Sequence, residues 1–273
     1  MSQVRRLAVC ADDFGHSRAL SRTVVGLAQR GRLTAVSCLS SGLAWRESAP
    51  MLRCLPDNTL CGLHFNLTLH RPCSADLRRC WPQLPALPAL LLRAAARVLP
   101  LEAIAAEWRA QWDAFVHCTG RAPDFIDGHQ HVHHLPGIRE VILRQLPTGV
   151  AVRNTGRLCG PGFAFKRAVI AASGGRRLTR LLEGRGVPHN TVLVGVYDYL
   201  REDYRVLLQG WLQGLPAAGG LLFCHPGDGG SDDPIAPARR REARYLASSA
   251  FVEDLQSADV TLGHAWPRSS SSG

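Results

Sequence analysis

Two adjacent carboxylates, Asp12 and Asp13, follow a short apolar run near the start of the chain. Alternation along a strand would send their side chains to opposite faces unless the backbone turns, and Phe14-Gly15 permits such a turn. A helix cap near Ser17 accounts for one aspartate but not for both. Because a buried carboxylate costs free energy without a cation or a hydrogen-bond partner, the pair indicates a site that binds a metal ion.

Histidines are concentrated in a second part of the sequence. His64 stands alone after an apolar run, whereas residues 127–134 contain four histidines, a density typical of metal binding or proton transfer. An extended loop would put His129, His131 and His133 on one side, and a helical loop would put His129 and His133 together. Two histidines and one carboxylate, with the other positions left to water or substrate, suit a catalytic zinc or another divalent ion.

Two further polar residues end apolar runs. Pro226-Gly227 turns the chain away directly after His225, which presents the imidazole for chemistry. A hydrogen-bonding role at the end of the sheet is the alternative for His225. Arg153 ends another run, and we expect its guanidinium to pair with Asp12, with a substrate oxygen, or with an acidic residue of a neighbouring strand.

Short apolar runs predict eight buried strands, at residues 7–10, 35–39, 59–63, 124–126, 150–152, 192–196, 220–223 and 259–262. Helical periodicity lies between most of them, at residues 20–30, 101–116, 137–146, 203–212 and 238–255. This alternation predicts a parallel sheet, and polar residues at the strand ends are typical of the mouth of a (β/α) barrel. A doubly wound open sheet is the alternative, but the chain lacks a G-x-G-x-x-G phosphate loop.

Residues 81–100 interrupt this alternation with an unusually apolar, proline-containing insertion. The insertion is expected to form either a helix on the flank of the barrel or an apolar lid over the active site. Residues 1–265 are expected to form one barrel domain. The serine-rich residues 266–273 are expected to be a disordered tail.

Composition excludes several classes of protein. The net charge is +10 over 273 residues, but the basic residues are scattered, so no nucleic-acid partner is expected. No run is long enough for a transmembrane segment and the first residues do not resemble a signal peptide, which predicts a cytoplasmic protein. The nine cysteines form no C-x-x-C pair and fit neither a zinc ribbon nor a disulfide framework. A homodimer is compatible with the sequence.

Four ordered motifs resemble those of the YdjC family, which includes chitooligosaccharide deacetylases and hopanoid-associated members. The motifs lie at residues 11–15, 62–68, 127–133 and 225–227, and the resemblance extends from residue 4 to about residue 260. It implies a single-domain distorted (β/α) barrel of the polysaccharide-deacetylase type. It also implies removal of an acetyl group from an N-acetylated sugar. Cys10 and Gly128 depart from the usual pattern, where polar residues are common.

The resemblance also implies a role for each motif residue. Asp13, His64 and His129 would hold one divalent metal ion, Zn²⁺ or Mg²⁺, with His133 as the ligand in reserve. Asp12 would act as the general base, and His225 would protonate the leaving amine. Other residues would support these groups or face the substrate, and they are His131, His133, Arg153 and Asn66.

The apolar insertion favours a glycan that carries a hydrophobic aglycone, such as a lipid. One alternative is a metal-dependent hydrolase of another amide or ester, because such a site recognises a carbonyl and a leaving group. Another is a catalytically silent barrel that binds a metal ion or a sugar. The combination of Asp12 and His225 argues against a silent barrel, because binding alone requires no paired base and acid.

Overall fold

The computed structural model describes residues 4–266, which form a parallel sheet surrounded by helices. The strands are β1 Arg5–Phe14, β2 Ala35–Cys38, β3 Leu60–Phe65, β4 Phe125–Gly128, β5 Ala151–Val152, β6 Leu193–Val194, β7 Gly220–Cys224 and β8 Val260–Leu262. The helices are α1 Arg18–Gln29, α2 Trp45–Ser48, α3 Ala75–Cys80, α4 Leu87–Ala95, α5 Leu101–Thr119, α6 Ile138–Gln145, α7 Ala164–Ile170, α8 Arg176–Gly184, α9 Tyr204–Gln213, α10 Ala236–Ala247 and α11 Ser249–Ser257. Two 3-10 segments, Ala49–Cys54 and His129–His134, and a π-helical segment, Ala171–Gly175, complete the elements.

The strand order is β5-β4-β3-β2-β1-β7-β6, and β8 pairs with the first residues of β1. All of these pairs are parallel. Isolated parallel bridges join Val152 to His189 and Leu158 to Leu193, so the two ends of the sheet approach each other. The predicted α/β class and the distorted (β/α) barrel are therefore confirmed.

All eight predicted strands are present, although several boundaries differ. β1 continues through both aspartates to Phe14, whereas the apolar run alone predicted an end at residue 10. The single helix predicted over residues 238–255 is instead two helices, separated at Ser248, which adopts an extended conformation. Helices α7 and α8 were not predicted, because the arginines and the Gly174-Gly175 pair obscure their apolar periodicity.

Two apolar clusters stabilise the barrel. The larger lies between the sheet and the surrounding helices. The smaller fills the barrel interior with side chains of alternate strand residues, among them Ala8, Cys10, Leu60 and Phe125. Trp266 also belongs to this interior cluster and packs against Phe125 with a ring-centroid distance of 4.8 Å. The folded chain thus includes Trp266, one residue beyond the expected domain boundary, while residues 267–273 of the expected tail lie outside the described residues.

The apolar insertion forms α4, between α3 and α5, on the flank of the barrel. Leu90 and Ala94 are fully buried on its inner side, and Leu92 is exposed on the outer side. No residue of 81–100 lines the cavity at the barrel mouth. Of the two alternatives for this segment, the structure has the flank helix and not the lid. Among residues 4–266, no helix combines the length and the apolar character needed to cross a bilayer.

Gly62 makes room for the ring of Phe125 at the centre of the barrel. A Cβ atom at Gly62 would lie 2.3 Å from that ring, in a core without space to shift it. We expect Gly62→Ala to lower the free energy of unfolding by about 1–3 kcal/mol. Gly26→Ala, in α1, is the matched control, because its Cβ meets nothing within 4 Å, and it should raise stability by about 0.5–1 kcal/mol. Urea unfolding followed by circular dichroism measures both changes, and equal stabilities of the two variants would contradict this account.

Candidate functional site

A cavity of about 450 Å³ opens at the carboxyl ends of the strands. Its lining includes the residues proposed from the sequence for metal binding and proton transfer, Asp12, Asp13, His64, His129 and His225, but not the reserve ligand His133. Other polar residues of the wall were not identified from the sequence, and they are His16, His70, Tyr199, Asp232, Asp233 and Arg239. The sequence therefore located the site but not all of its wall.

A β-bulge near the end of β1 brings both aspartates to the cavity. Ala11 pairs with Val36 and Phe14 with Cys38, so Asp12 and Asp13 together lie opposite one residue of β2, Ser37. Asp13 has a left-handed backbone, with φ at 66°, whereas a regular strand would have turned it outward into the helix layer. The expected turn at Phe14-Gly15 is also present, because the His16 N–H donates to the Asp13 carbonyl oxygen at 2.9 Å and Gly15 has φ at 95°.

Asp13, His64 and His129 form a compact group of ligand-type atoms. Asp13 Oδ1 lies 3.2 Å from His64 Nε2 and 3.0 Å from His129 Nδ1. Bonds of about 2.0–2.2 Å to one ion, at tetrahedral or octahedral angles, separate ligand atoms by roughly 2.9–3.5 Å. One carboxylate and two imidazoles at these separations fit a divalent metal ion, and they leave coordination positions for water and substrate.

Asp127 and Ser37 orient the imidazole of His64. His64 Nδ1 donates to Asp127 Oδ1 at 2.6 Å, and the Ser37 hydroxyl donates to the same oxygen at 2.6 Å. With Nδ1 held by Asp127, Nε2 faces Asp13 and would bind a metal ion after releasing its own proton, which is the arrangement of a carboxylate that supports a metal-binding histidine. Burial alone would lower the pKa of His64, but Asp127 outweighs it and raises the pKa to about 10.

Arg239, from α10, holds the second oxygen of Asp13. Its Nη2 lies 2.7 Å from Asp13 Oδ2, and its Nε lies 2.5 Å from Asp233 Oδ2. Burial alone would raise the pKa of Asp13, but Arg239 and then His129 hold it well below its usual range. Asp13 is thus a carboxylate with Oδ2 paired and Oδ1 facing the two imidazoles.

Arg153 is fully buried and binds two aspartates at once. Its Nη1 and Nη2 donate to the two carboxylate oxygens of Asp12 at 2.6 Å each, and Nη2 lies 2.5 Å from Asp127 Oδ2. Of the alternatives left open by the sequence, the structure has both the pair with Asp12 and the pair with an acidic residue of the neighbouring strand β4, Asp127. Cys10, Asp12 and Asp127 also group together as ligand-type side chains, but the guanidinium already provides their positive charge.

His225 follows β7 beside Asp12. β1 and β7 pair with Ala11 opposite Cys224, so the next residues along the two strands are Asp12 and His225. The His225 imidazole contacts Tyr199 edge to face, and its Nδ1 is buried without a hydrogen-bond partner. Burial, which exceeds the opposing effect of the nearby aspartates, lowers the pKa of His225 to about 4. The imidazole is therefore neutral near pH 7.

Glu242 of α10 supports the strand end at His225. It accepts hydrogen bonds from the His225 backbone N–H and from the Tyr197 hydroxyl. Burial raises the pKa of Glu242 to about 7. Like Arg239, this glutamate lies in an arginine-rich helix whose sequence resembles a solvated surface. Nothing in the local sequence therefore identifies it as a site residue.

The histidine-rich segment is neither extended nor a regular helix. Gln130 and His131 have left-handed backbones, with φ at 51° and 62°, and this double turn separates the side chains. His129 and His131 line the cavity. His133 instead points into the interior, where its Nε2 donates to the Arg153 carbonyl oxygen at 2.9 Å. The ligand-type group contains His129 and not His133.

Asn66 was expected either to support the site residues or to face the substrate, and it does not line the cavity. Its Oδ1 accepts from the backbone N–H groups of Thr68 and Leu69, and its Nδ2 donates to the Leu69 carbonyl and to Ser41. The side chain thus shapes the loop that brings Leu69 and the following residue to the cavity wall.

The chain is similar to known proteins both in sequence and in fold. The sequence profile described as YdjC-like protein matches residues 6–257. The chain belongs to the YdjC-like protein family.

Curated relatives of this YdjC-like protein include a chitooligosaccharide deacetylase of Salmonella paratyphi B (strain ATCC BAA-1250 / SPB7), 33% identical over 157 residues. That alignment covers 55% of this chain and 59% of the relative, and the Salmonella typhi protein of the same name gives the same figures. The chain thus matches less than two thirds of the length of these relatives. A crystal structure from Enterococcus faecalis V583, provisionally assigned to cellobiose-phosphate cleavage, covers 96% of this chain and 97% of its own, with a TM-score of 0.74 and 20% identity. This likeness concerns the fold.

The two carboxylates around Arg153 provide a test of the site's stability. Removing the guanidinium leaves Asp12 and Asp127 buried without it, so we expect Arg153→Met to cost about 3–5 kcal/mol. Arg157→Met is the matched control, because Arg157 pairs with Glu183 at the surface and should contribute about 0–1 kcal/mol. Chemical unfolding near pH 7 compares the variants. A loss at Arg153 no larger than that at Arg157 would rule out a structural dependence on this pair.

Proposed function

We propose that this YdjC-like protein is a metal-dependent hydrolase that removes the acetyl group from an N-acetylated sugar. The observation that carries the proposal is that the imidazoles of His64 and His129 converge on Asp13 Oδ1. Asp12 and His225 line the same cavity. The names of the Salmonella relatives support the N-acetylated sugar as the substrate class. The proposed ligands of the ion, Zn²⁺ or Mg²⁺, are Asp13, His64 and His129.

A divalent ion at this position would lower the pKa of bound water, polarise the acetyl carbonyl and stabilise the negative charge that develops on its oxygen. Asp12 is the proposed general base. The bidentate pair with Arg153 fixes the orientation of its carboxylate, and the bulge of β1 keeps that carboxylate next to the ligand Asp13. Asp12 therefore needs no rearrangement to accept a proton from water.

The amine must gain a proton to leave, and His225 is the group proposed to deliver it. Its unpartnered imidazole is neutral before the reaction, so it must first receive a proton. Asp12, its neighbour across the β1–β7 pair, gains one from water in the first step. We therefore propose that the proton passes from water to Asp12, then to His225, and finally to the amine nitrogen.

Substitutions of Asp12 and His64 distinguish a role in turnover from a role in metal binding. We expect Asp12→Asn to retain the ion and lose about 10²–10⁴-fold in kcat, because only the base is removed. His64→Ala should lose both the ion and turnover, because it removes a proposed ligand. Metal content by mass spectrometry and acetate release from N-acetylated chitooligosaccharides give the two readouts. Loss of the ion in Asp12→Asn would mean that the roles of the two aspartates are exchanged.

The same assay distinguishes a sugar deacetylase from a metal-dependent hydrolase of another amide or ester. Acetate release from N-acetylated sugars that exceeds release from simple acetyl esters supports the sugar deacetylase, and the reverse order supports a general hydrolase. Chelation should abolish release in both cases, and added Zn²⁺ or Mg²⁺ should restore it.

We also propose that the substrate carries a hydrophobic aglycone, which contacts the apolar wall of the cavity and not the insertion. Leu43, Leu69 and Ile235 line this wall, and Leu43 is 79% exposed. An exposed leucine at the mouth of a polar site is available to bind an apolar group.

Substitutions of Leu43 and Leu92 test whether the cavity wall or the insertion contacts the aglycone. We expect Leu43→Ser to raise KM about 3- to 10-fold for an alkyl N-acetylglucosaminide, because apolar contact is lost, and to leave KM for a free chitooligosaccharide unchanged. Leu92→Ser is the control, because Leu92 is 72% exposed in the insertion and does not line the cavity. Steady-state kinetics on the two substrates decide the point, and an equal change on both would refute the proposed aglycone contact.

A further inference from the structure

Two histidines outside the proposed metal group stack on each other in the cavity wall. The rings of His16 and His70 lie 6.2 Å apart between centroids, with an angle of 19° between their planes. Both residues line the cavity that contains the proposed metal ligands. His16 follows β1, and His70 follows β3 at a distance of 54 positions in the chain. Neither residue belongs to the four motifs that indicated the family.

The backbone holds His70 in this position at a cost. His70 has a left-handed conformation, with φ at 66°, which is uncommon for residues other than glycine, although histidine adopts it more readily than most. The Asn66 turn precedes it, and the Leu84 N–H donates to the His70 carbonyl at 3.0 Å. Local strain retained at a cavity wall is typical of residues that contact a ligand.

Each ring also has a buried nitrogen without a partner. His16 Nδ1 and His70 Nε2 are buried and have no hydrogen-bond partner among the described residues. A substrate cannot reach these two enclosed atoms. The opposite nitrogens, His16 Nε2 and His70 Nδ1, are not enclosed and also have no hydrogen-bond partner among the described residues, so a ligand in the cavity could be their partner. Neither histidine belongs to a group of three ligand-type side chains within 4.8 Å among residues 4–266, which argues against a second metal ion as that partner.

We propose that His16 and His70 form a subsite that binds hydroxyl groups of the substrate's sugar ring and thereby sets specificity for a glycan. The inference rests on the proposed function and extends it to residues with no role in the chemistry. Imidazole nitrogens donate to and accept from hydroxyl groups. The guanidinium of Arg239 in the cavity wall already pairs with Asp13 and Asp233, and Asp232 adds a negative charge, so these side chains do not favour a phosphate or a carboxylate in the same place.

The test replaces each imidazole by a ring that retains stacking but has no nitrogen. We expect His16→Phe and His70→Phe each to raise KM for N,N′-diacetylchitobiose about 3- to 10-fold, as for the loss of one hydrogen bond, with little change in kcat. For 4-nitrophenyl acetate, which has no sugar hydroxyl groups, kcat/KM should be unchanged. His70→Asn should retain more affinity than His70→Phe, because asparagine tolerates the left-handed backbone and keeps polar atoms.

His117→Phe is the control, because His117 is an exposed residue of α5 that does not line the cavity. Calorimetric titration of the metal-loaded Asp12→Asn protein, which should not turn over, provides a second readout: either phenylalanine substitution in this background should raise the Kd for N,N′-diacetylchitobiose by the same factor as KM. Equal losses on both substrates would overturn the proposal, because they indicate a structural or catalytic role. Unchanged KM and Kd in both phenylalanine variants would overturn it as well.

The two proposals fail in different ways. A wild-type protein that binds N,N′-diacetylchitobiose through these histidines but releases no acetate contradicts the proposed function and supports the subsite. A protein that releases acetate equally well in the wild type and in the phenylalanine variants contradicts the subsite and supports the function.

Discussion

The buried ion pair between Arg153 and two aspartates is the interaction on which the rest of the site depends. Asp12 and Asp127 lie on different strands, and each is almost completely inaccessible to solvent. Neither charge would be tolerated in the barrel interior without the guanidinium. Through Asp127 the same cation reaches His64, whose Nδ1 donates to that carboxylate. One arginine therefore stabilises both the proposed base and the support of a proposed metal ligand.

The fold provides the site by a deviation from regular strand geometry. A parallel barrel brings the carboxyl ends of its strands together, but strict alternation would expose only one of two adjacent aspartates to the cavity. The bulge in β1 and the left-handed backbone at Asp13 place both there. The double left-handed turn at Gln130 and His131 likewise separates histidines that simple periodicity would have grouped. In both places the backbone departs from the regular pattern where the chemistry is concentrated.

The strands and the order of the motifs could be predicted from the sequence, because apolar runs and the residues that follow them are local properties. The partners of these residues could not. Arg239 and Glu242 come from α10, more than 200 positions after Asp13, and they lie among arginines that resemble a solvated surface. The reserve ligand His133 also looked equivalent to His129 until the backbone of the loop was known. The insertion is apolar because its helix packs on the flank of the barrel. Composition alone does not distinguish such a helix from a lid over the cavity, because both are apolar.

The pairing of Asp13 with Arg239 limits how this carboxylate could bind a metal ion. Arg239 occupies Oδ2, so only Oδ1 faces His64 and His129, and the carboxylate is restricted to one ligand atom. A bidentate aspartate would take a second coordination position at the expense of water or the acetyl oxygen. Through one oxygen and two nitrogens, Asp13, His64 and His129 would hold a divalent ion and leave the rest of its coordination sphere to water and substrate. Arg239 therefore favours a catalytic arrangement over a closed structural one, although it contacts neither the ion's other ligands nor the proposed base.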